Sequence, residues 1–451
     1  MAKVFRPWEV EQGWLLPPSV HELVPPQHPA HFVRELVRSQ LDLGAVLAAY
    51  DEERGFPPYH PTMMVALLLY GYTQGLFSSR KLAKACEERI DFMAVTAMQK
   101  PDFRTIGKFR LRHLAALGDL FVQVLKLCQK AGLVRLGHVA LDGTKVKANA
   151  SKHKAMSYRK MREVETRLLE EVHEWFRRAD AEDTAEDAAH GDRRGDELPE
   201  WVANKLERIE RIREAKTALE QEAQQEAALR KAASADEEDH DGDGDDRPTP
   251  PSRPKHHADG TPGEKSQRNF TDPESRILKT RDGYMQGYNA QAAVDAERQI
   301  IVATEVYAAQ NDGPFLDEML GQIRANTGRQ TRELSADYSY LSEANLIACA
   351  RRHVTPYIAT GRLRHHDGQP TTPRDRPDDS RAAAMEQKLR RAGRRSRYRL
   401  RKQLVEPVFG QIKAAMGFAG FLLRGLRKVR QEWRLVAAAH NLRKLVAAAV
   451  A

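Results

Sequence analysis

The chain has 451 residues, of which 41% are hydrophobic and 30% are charged. This length exceeds the roughly 100–200 residues of a single domain, and three scattered cysteines, Cys86, Cys128 and Cys349, exclude a disulfide framework or a zinc site. Lysine and arginine outnumber aspartate and glutamate by 72 to 63, a formal net charge of +9. This charge favours a polyanionic partner because basic surfaces release counterions from phosphates, although a basic protein without such a partner fits it equally well.

No stretch approaches the roughly 18 apolar residues that a membrane helix needs, and the first ten residues, MAKVFRPWEV, lack the apolar core of a signal peptide. We therefore expect a cytoplasmic protein with no membrane partner.

The N-terminal segment, residues 1–134, is predicted to be an all-α domain. Consecutive helices are expected over residues 61–134, with Ser78 or Ser79 as one N-cap and Asp102 as another. The helix after Asp102 carries several cations on a short stretch. They would suit a helix that lies along DNA, or equally the solvated face of an ordinary bundle; those we predict to bind DNA are Arg104, Lys108 and Arg110.

A sheet is predicted to begin where Val139 and Leu141 alternate toward Asp142, which we expect to end its strand before a tight turn at Gly143. Two β-rich runs joined near residues 296–298 predict a hairpin. After it the pattern predicts a helix, a strand that ends at Asp337, a second helix and a last strand. This order predicts a mixed sheet with helices on its faces, formed by residues 135–152 and 272–451.

Residues 153–271 are predicted to be an insertion. Met161, Leu168, Val172 and Trp175 or Phe176 have helical spacing, and residues 201–220 repeat the pattern, so we expect an antiparallel helical hairpin whose charges are solvated. Residues 233–267 are acidic and poor in apolar residues, which predicts disorder. Within them, the run from Asp239 imitates a calcium-binding loop but has proline where the bidentate glutamate belongs.

Three carboxylates are candidates for phosphodiester chemistry, in which two metal ions about 3.5–4 Å apart activate the attacking oxygen and neutralise the leaving one. Asp142 and Asp337 each follow a short apolar strand, although a single aspartate there is more often a cap or turn residue. The third, Glu406, lies between Lys402 and Lys413 at helical spacing, a pattern that surface ion pairs would also produce.

The segment around Glu406 has two further features. Nine of the fifteen residues from Lys388 to Lys402 are lysine or arginine, which predicts a strong field for DNA. Glu406 precedes Pro407, and the residue before proline is biased away from the α region, so we expect a helix that is kinked or begins again there.

The chain resembles bacterial insertion-sequence transposases that carry an Asp-Asp-Glu triad on a ribonuclease H-like fold. The similarity lies in LDGTKVKANAS around Asp142, TRDGYMQGYNAQAAVD, LSADYSYLSEANL around Asp337 and YRLRKQLVEPVFGQIK around Glu406. An N-terminal segment, PYHPTMMVALLLYGY, and a C-terminal one, EWRLVAAAHNLRKL, are also similar, so the resemblance spans nearly the whole chain apart from the acidic segment.

This resemblance implies Asp142, Asp337 and Glu406 as catalytic residues and as ligands of two Mg²⁺ ions, with Mn²⁺ as a substitute. Water would be the first nucleophile and a liberated 3′-hydroxyl the second. Tyr398 and Arg401 would contact the transposon end, and Lys413 would hold a phosphate. Arg401 lies five residues before Glu406, whereas the family signature has four, a spacing that Lys402 satisfies, so the basic partner is divided between these two residues.

Other acids near the second block were weighed, namely Asp295, Asp312 and Asp317. Asp337 is preferred because it directly follows an apolar strand and precedes a helix, and because the familial block centres on it. Asp295 fits a hairpin turn better.

The leading hypothesis is a DNA transposase that binds inverted-repeat ends, cleaves them and joins them to target DNA. It would act on double-stranded DNA as a homodimer in the synaptic complex and be associated with the nucleoid. Two alternatives remain: a nuclease of the same fold that does not transfer strands, and a DNA-binding protein that has lost its chemistry. The intact triad speaks against the latter.

Overall fold

The computed structural model describes residues 19–50, 58–190, 200–235, 257, 260–280, 283–309, 312–361 and 380–450. The calcium-loop imitation from Asp239 to Pro250 lies outside these residues. Disorder was predicted for residues 233–267, but 233–235 end a helix and Gln267 begins a strand, so at both margins that prediction was wrong. In this described part of the chain, no helix combines the length and apolar character needed to cross a membrane.

The N-terminal helices form a bundle as predicted. They are α1 (Pro29–Ser39), α2 (Gly44–Leu47), α3 (Pro61–Thr73), α4 (Ser79–Glu88), α5 (Ile90–Thr96), α6 (Phe103–Arg112) and α7 (Leu114–Lys130). Helix α3 is apolar on every side and is buried from Met64 onward. Asp102 caps α6 by accepting from the backbone N–H groups of Arg104 and Thr105, as predicted. Ser78 is the N-cap of α4, but its side chain makes no capping hydrogen bond.

The described residues form eight strands. They are β1 (His138–Lys147), β2 (Ala155–Ser157), β3 (Gln267–Asn269), β4 (Arg276–Thr280), β5 (Gly283–Asp295), β6 (Ile301–Tyr307), β7 (Glu333–Ala336) and β8 (Thr355–Ile358). The main sheet has the order β4-β5-β1-β7-β8, with β6 also paired to β5. Strand β1 is antiparallel to β5 and parallel to β7, and β7 is parallel to β8, so the predicted mixed sheet and its β5–β6 hairpin are confirmed.

The insertion contains the predicted antiparallel pair, α8 (Tyr158–His190) and α9 (Glu200–Ala235). The two helices have a small hydrophobic core of their own, formed by Met161, Val164, Leu168, Val172, Ile209, Ile212, Ala215 and Leu219. Most of their charges are exposed as expected. Glu165 is an exception, because it is buried and accepts from Arg213 and Lys216 at 2.7 Å each. The short β2–β3 sheet pairs residues that flank the two helices.

The remaining helices are α10 (Leu316–Thr327), α11 (Glu343–Arg351), α12 (Arg381–Ala392), α13 (Leu400–Gly410) and α14 (Leu426–Val450). The last of these packs against α7 and α3 of the N-terminal bundle and against β6 of the sheet. Its buried Trp433 donates its indole N–H to the carbonyl of Gln291 in β5 at 3.1 Å. One continuous hydrophobic cluster therefore joins the N-terminal bundle to the sheet.

Helix α13 continues through Pro407, so it does not begin again there as one of the two expectations had it. A proline inside a helix leaves the carbonyl four residues earlier without its donor. That carbonyl belongs to Gln403, and the side-chain amide of Gln299 donates to it at 3.1 Å. A single π-helical turn, Gln411–Ala415, then extends the helix beyond Gly410.

Candidate active site

Asp142 lies inside a strand rather than at its end. Strand β1 runs on to Lys147 because its pairing with β5 continues to Gly287, so the tight turn expected at Gly143 was wrong. On its other side, pairing with β7 stops at Ala140 opposite Ser335. The same register, carried two residues further, places Asp142 beside Asp337, which directly follows β7 as predicted. The two aspartates therefore meet where one strand ends and its neighbour continues.

The carboxyl group of Asp142 is held on both of its oxygens. Oδ1 accepts from the backbone N–H of Gly143 at 2.9 Å, and Oδ2 forms an ion pair with Nη1 of Arg401. Only 13% of the Asp142 side chain is exposed. Burial raises its pKa to about 7, and the carboxylate of Asp337 adds to the rise, while Arg401 opposes it.

Arg401 joins the first and third acids of the predicted triad. Its Nη2 contacts Oε1 of Glu406 at 3.3 Å while Nη1 pairs with Asp142. The Arg401 side chain is only 12% exposed, whereas that of Glu406 is 50% exposed. Arg401 Nε is buried without a hydrogen-bond partner among the described residues. Arg401, and not the exposed Lys402, therefore contacts the carboxylates.

Asp312, which sequence reasoning set aside, lies beside these acids. Its Oδ1 accepts from the side-chain amides of Asn289 at 2.5 Å and Gln291 at 2.6 Å. The hydroxyl of Ser339 lies 3.2 Å from its Oδ2 and also bonds Oδ1 of Asp337. Burial raises the pKa of Asp312, and Asp337 contributes to this rise. We call Asp142, Asp312 and Asp337 the carboxylate cluster.

Two polar side chains in the buried part of strand β5, Asn289 and Gln291, were the available sign that Asp312 docks there. The other acids that were weighed lie elsewhere. Asp295 is buried and accepts from the backbone N–H groups of Leu136 and Glu297, which agrees with the hairpin-turn interpretation. Asp317 pairs with Arg352 at 2.7 Å.

Gly143 leaves room for this arrangement. A Cβ atom at this position would lie 2.3 Å from Nε2 of Gln291 and 2.4 Å from Oδ1 of Asp312. These two atoms are hydrogen-bonded to each other, so a shift of one disturbs the other. Any larger residue at position 143 would therefore disturb Asp312 and the amides that hold it.

The remaining predicted residues of α13 and its surroundings lie around Arg401. Lys413 donates to Thr144 Oγ1 at 2.7 Å and to the carbonyl of Lys145 at 2.8 Å, so it is fastened to β1 just beyond Asp142. Burial lowers the pKa of Lys413. Tyr398 is half-buried. Burial raises its pKa, and the hydrogen bond to Arg401 only partly opposes this rise.

On α6 the three predicted DNA-binding residues separate. Arg104 and Lys108 are exposed. Arg110 is buried, and its Nη1 donates to the carbonyl of Phe77 at 2.8 Å and to the hydroxyl of Tyr72 at 3.3 Å. The prediction that Arg110 contacts DNA was therefore wrong, because its guanidinium is used inside the bundle.

The donor set of the carboxylate cluster suits a hard divalent cation, which prefers oxygen ligands. In the part of the chain that the structure describes, however, no three histidine, cysteine, aspartate or glutamate side chains are grouped closely enough to hold a metal ion. The guanidinium of Arg401 bonds both Asp142 and Glu406 and so keeps Glu406 from joining the cluster directly. A site that includes Glu406 requires Arg401 to move.

Comparison with known families adds independent information. Residues 18–112 match a family model described as a transposase domain (DUF772), and residues 364–446 match one described as a transposase DDE domain. Comparison with curated proteins and with solved structures gave no match. The second matched segment contains Arg401 and Glu406, whereas Asp142 and Asp337 lie outside both segments. The two matches confirm the resemblance seen in the sequence: the chain carries a transposase domain and a transposase DDE domain, as insertion-sequence transposases do.

Proposed function

We propose that this transposase cuts the phosphodiester bonds at transposon ends and joins the ends to target DNA, with Asp142, Asp337 and Glu406 as its catalytic acids. The observation that carries this proposal is the register of β1 and β7, which sets Asp142 beside Asp337 while Arg401 links Asp142 to Glu406. The ribonuclease H-like arrangement is proposed from the strand order of the main sheet, which mixes parallel and antiparallel pairs.

These three acids would hold two divalent ions, Mg²⁺ or in its place Mn²⁺, which when bound would activate the attacking oxygen and stabilise the leaving one. Hydrogen-bond donors of the chain hold two of these carboxylates in position. The Gly143 N–H fixes one oxygen of Asp142, and Ser339 fixes one oxygen of Asp337. Burial of the carboxylate cluster makes its negative charge costly, so the cluster has a strong tendency to bind cations.

Arg401 would act as the cation that holds the acids together before DNA arrives. A guanidinium suits phosphate as well as carboxylate, and the buried Arg401 Nε still has an N–H to donate. We infer that a phosphate of the transposon end draws Arg401 off Glu406, which allows that carboxylate to turn to the cluster. Tyr398 and Lys413, on either side of Arg401, would contact the same strand.

Further contacts with double-stranded DNA are assigned to Arg104 and Lys108 on α6 and to the basic run that contains Lys402. Pairing of two transposon ends would require two copies of the chain, hence a homodimer in the synaptic complex. The same DNA binding would place the protein at the nucleoid.

The test uses a duplex that carries the element's terminal inverted repeat, supplied with Mg²⁺ and a target plasmid. Wild-type protein is expected to nick the end and join it to the plasmid, whereas Asp337→Asn binds the duplex and gives neither product. Asp119→Asn is the matched control, since Asp119 is exposed and pairs with Arg434 far along the chain. Cleavage without any joined product would refute strand transfer, and full activity in Asp337→Asn would refute the assignment of the acids.

A further inference from the structure

A groove of about 720 Å³ opens at the far end of β1, beyond the carboxylate cluster. Its walls come from residues 147–154, from Tyr284 and its neighbours in β5, and from Arg424. Its lining contains neither aspartate nor glutamate. The basic residues that line it are Lys147, Lys152, His153, Lys154 and Arg424.

The three lysines and Arg424 are exposed, and none of them forms an ion pair with another described residue. None of the ion pairs found among the described residues includes Lys147, Lys152 or Lys154. Arg424 donates its Nε to the carbonyl of Asn149 at 2.9 Å, a neutral acceptor that leaves its charge uncompensated. Like charges gathered in one concave surface repel each other and concentrate the positive field there, so the groove is suited to a polyanion.

An aromatic ring completes the lining. Tyr284 is 62% exposed, the highest value among the large hydrophobic side chains that the structure describes. Cations beside an exposed aromatic ring suit a nucleic-acid backbone, since the cations contact phosphates while the ring packs on sugars.

Strand β1 connects this groove to the candidate active site. Lys147 lies five residues after Asp142 on the same strand, and at about 3.3 Å for each residue the separation is about 17 Å. Successive nucleotides of a DNA strand are about 3.4 Å apart along the helix axis, so this separation corresponds to about five nucleotides. A duplex that runs along β1 would therefore meet the groove about five base pairs, half a helical turn, from the acids.

We propose that this groove binds the phosphate backbone of the transposon-end duplex about five base pairs from the cut. This inference rests on the proposed function, because it takes the bond at the carboxylate cluster as the point that is cut. Backbone contacts read no sequence, so the groove holds the duplex in place, while other parts of the chain recognise the repeat.

The first test replaces two exposed lysines, Lys152→Gln with Lys154→Gln, and measures duplex binding by fluorescence anisotropy between about 50 and 200 mM salt. Loss of two phosphate contacts is expected to lower the slope of log K against log salt by about 1.8. The ratio of wild-type to variant affinity should therefore fall about tenfold between the low and the high salt concentration. The effect should be equal for end DNA and for an unrelated duplex. Lys126→Gln with Lys130→Gln, two exposed lysines of α7, removes the same charge as a control.

A second test does not depend on weakened binding. Because Cys86, Cys128 and Cys349 are all buried, Lys152→Cys provides a single reactive thiol for a photoactivated crosslinker. Crosslinks are expected in one cluster about five base pairs from the cut. A salt slope equal to that of the control pair, crosslinks spread evenly along the duplex, or tighter binding of single-stranded RNA would each overturn the proposal.

The cleavage assay, run beside both tests, separates the two claims. If the wild-type protein cuts end DNA while the groove variant keeps its salt slope, the groove assignment fails and the proposed function stands. If the slope falls and the crosslinks cluster while wild-type protein never cuts, the groove assignment is supported and the proposed function fails.

Discussion

Replacement of Asp142 by asparagine is expected to stabilise the metal-free protein above neutral pH. Burial raises the pKa of this carboxyl from an ordinary 3.8 to about 7. Between these values the native chain keeps a proton that the unfolded chain has released, so wild-type stability falls as pH rises through this range. At about 1.4 kcal/mol for each pH unit, the full difference is about 4 kcal/mol.

The net gain is expected to be about 1–3 kcal/mol, because asparagine still accepts from Gly143 N–H but removes the charged partner of Arg401. The assay is thermal unfolding with a chelator from about pH 4 to about pH 9. Asp142→Asn should melt a few degrees higher than wild type at about pH 8, and the difference should vanish near pH 4. Asp119→Asn should show no such trend. A lower melting temperature for Asp142→Asn at high pH would refute the reasoning, since the pair with Arg401 would then outweigh the burial of charge.

Four further variants test the site and the N-terminal bundle. Gly143→Ala should reduce metal-dependent cleavage with duplex affinity retained, because its methyl group disturbs Asp312 beside Asp142 and Asp337 in the carboxylate cluster; normal cleavage would contradict this. Arg110→Gln should lower the free energy of unfolding by about 1–3 kcal/mol and leave the salt slope of DNA binding unchanged. Arg104→Gln with Lys108→Gln should lower that slope by about 1.8. The opposite pattern would show that Arg110 contacts DNA. Arg401→Gln should weaken end binding yet raise Mn²⁺ affinity without DNA, measured by calorimetry; weaker Mn²⁺ binding would show that Arg401 does not compete with the metal.

The sequence was sufficient for the order of elements and for the place of Asp337 directly after a strand. Hydrophobic periodicity located the N-terminal helices, the β5–β6 hairpin and the α8–α9 pair, because each depends on local pattern. Asp337 was found because it directly follows a short apolar strand. These features require no knowledge of which strand lies beside which.

The errors arose where a distant partner decides the structure. Strand β1 passes Asp142 because β5, more than a hundred residues later, pairs with it. Pro407 stays helical because Gln299 supplies the donor for Gln403. Arg110 is buried because the carbonyl of Phe77, in the loop before α4, accepts a hydrogen bond from its guanidinium. None of these contacts leaves a local trace in the sequence.

The carboxylate cluster, too, could be predicted only in part from the sequence. Asp142 and Asp337 come together through the pairing of β1 with β7, which the sequence suggested only as two matching strand ends. The signal for Asp312 lay only in another strand, where Asn289 and Gln291 supply the amides that hold it.

The central claim, that Asp142, Asp337 and Glu406 form one metal site once DNA is bound, is tested most directly by counting metal ions. Mn²⁺ would be titrated into the protein bound to its end duplex and followed by electron paramagnetic resonance. The account predicts two tightly bound ions for each chain, with tight binding lost in Asp337→Asn and reduced in Glu406→Gln. Equal Mn²⁺ binding by all three proteins would contradict it.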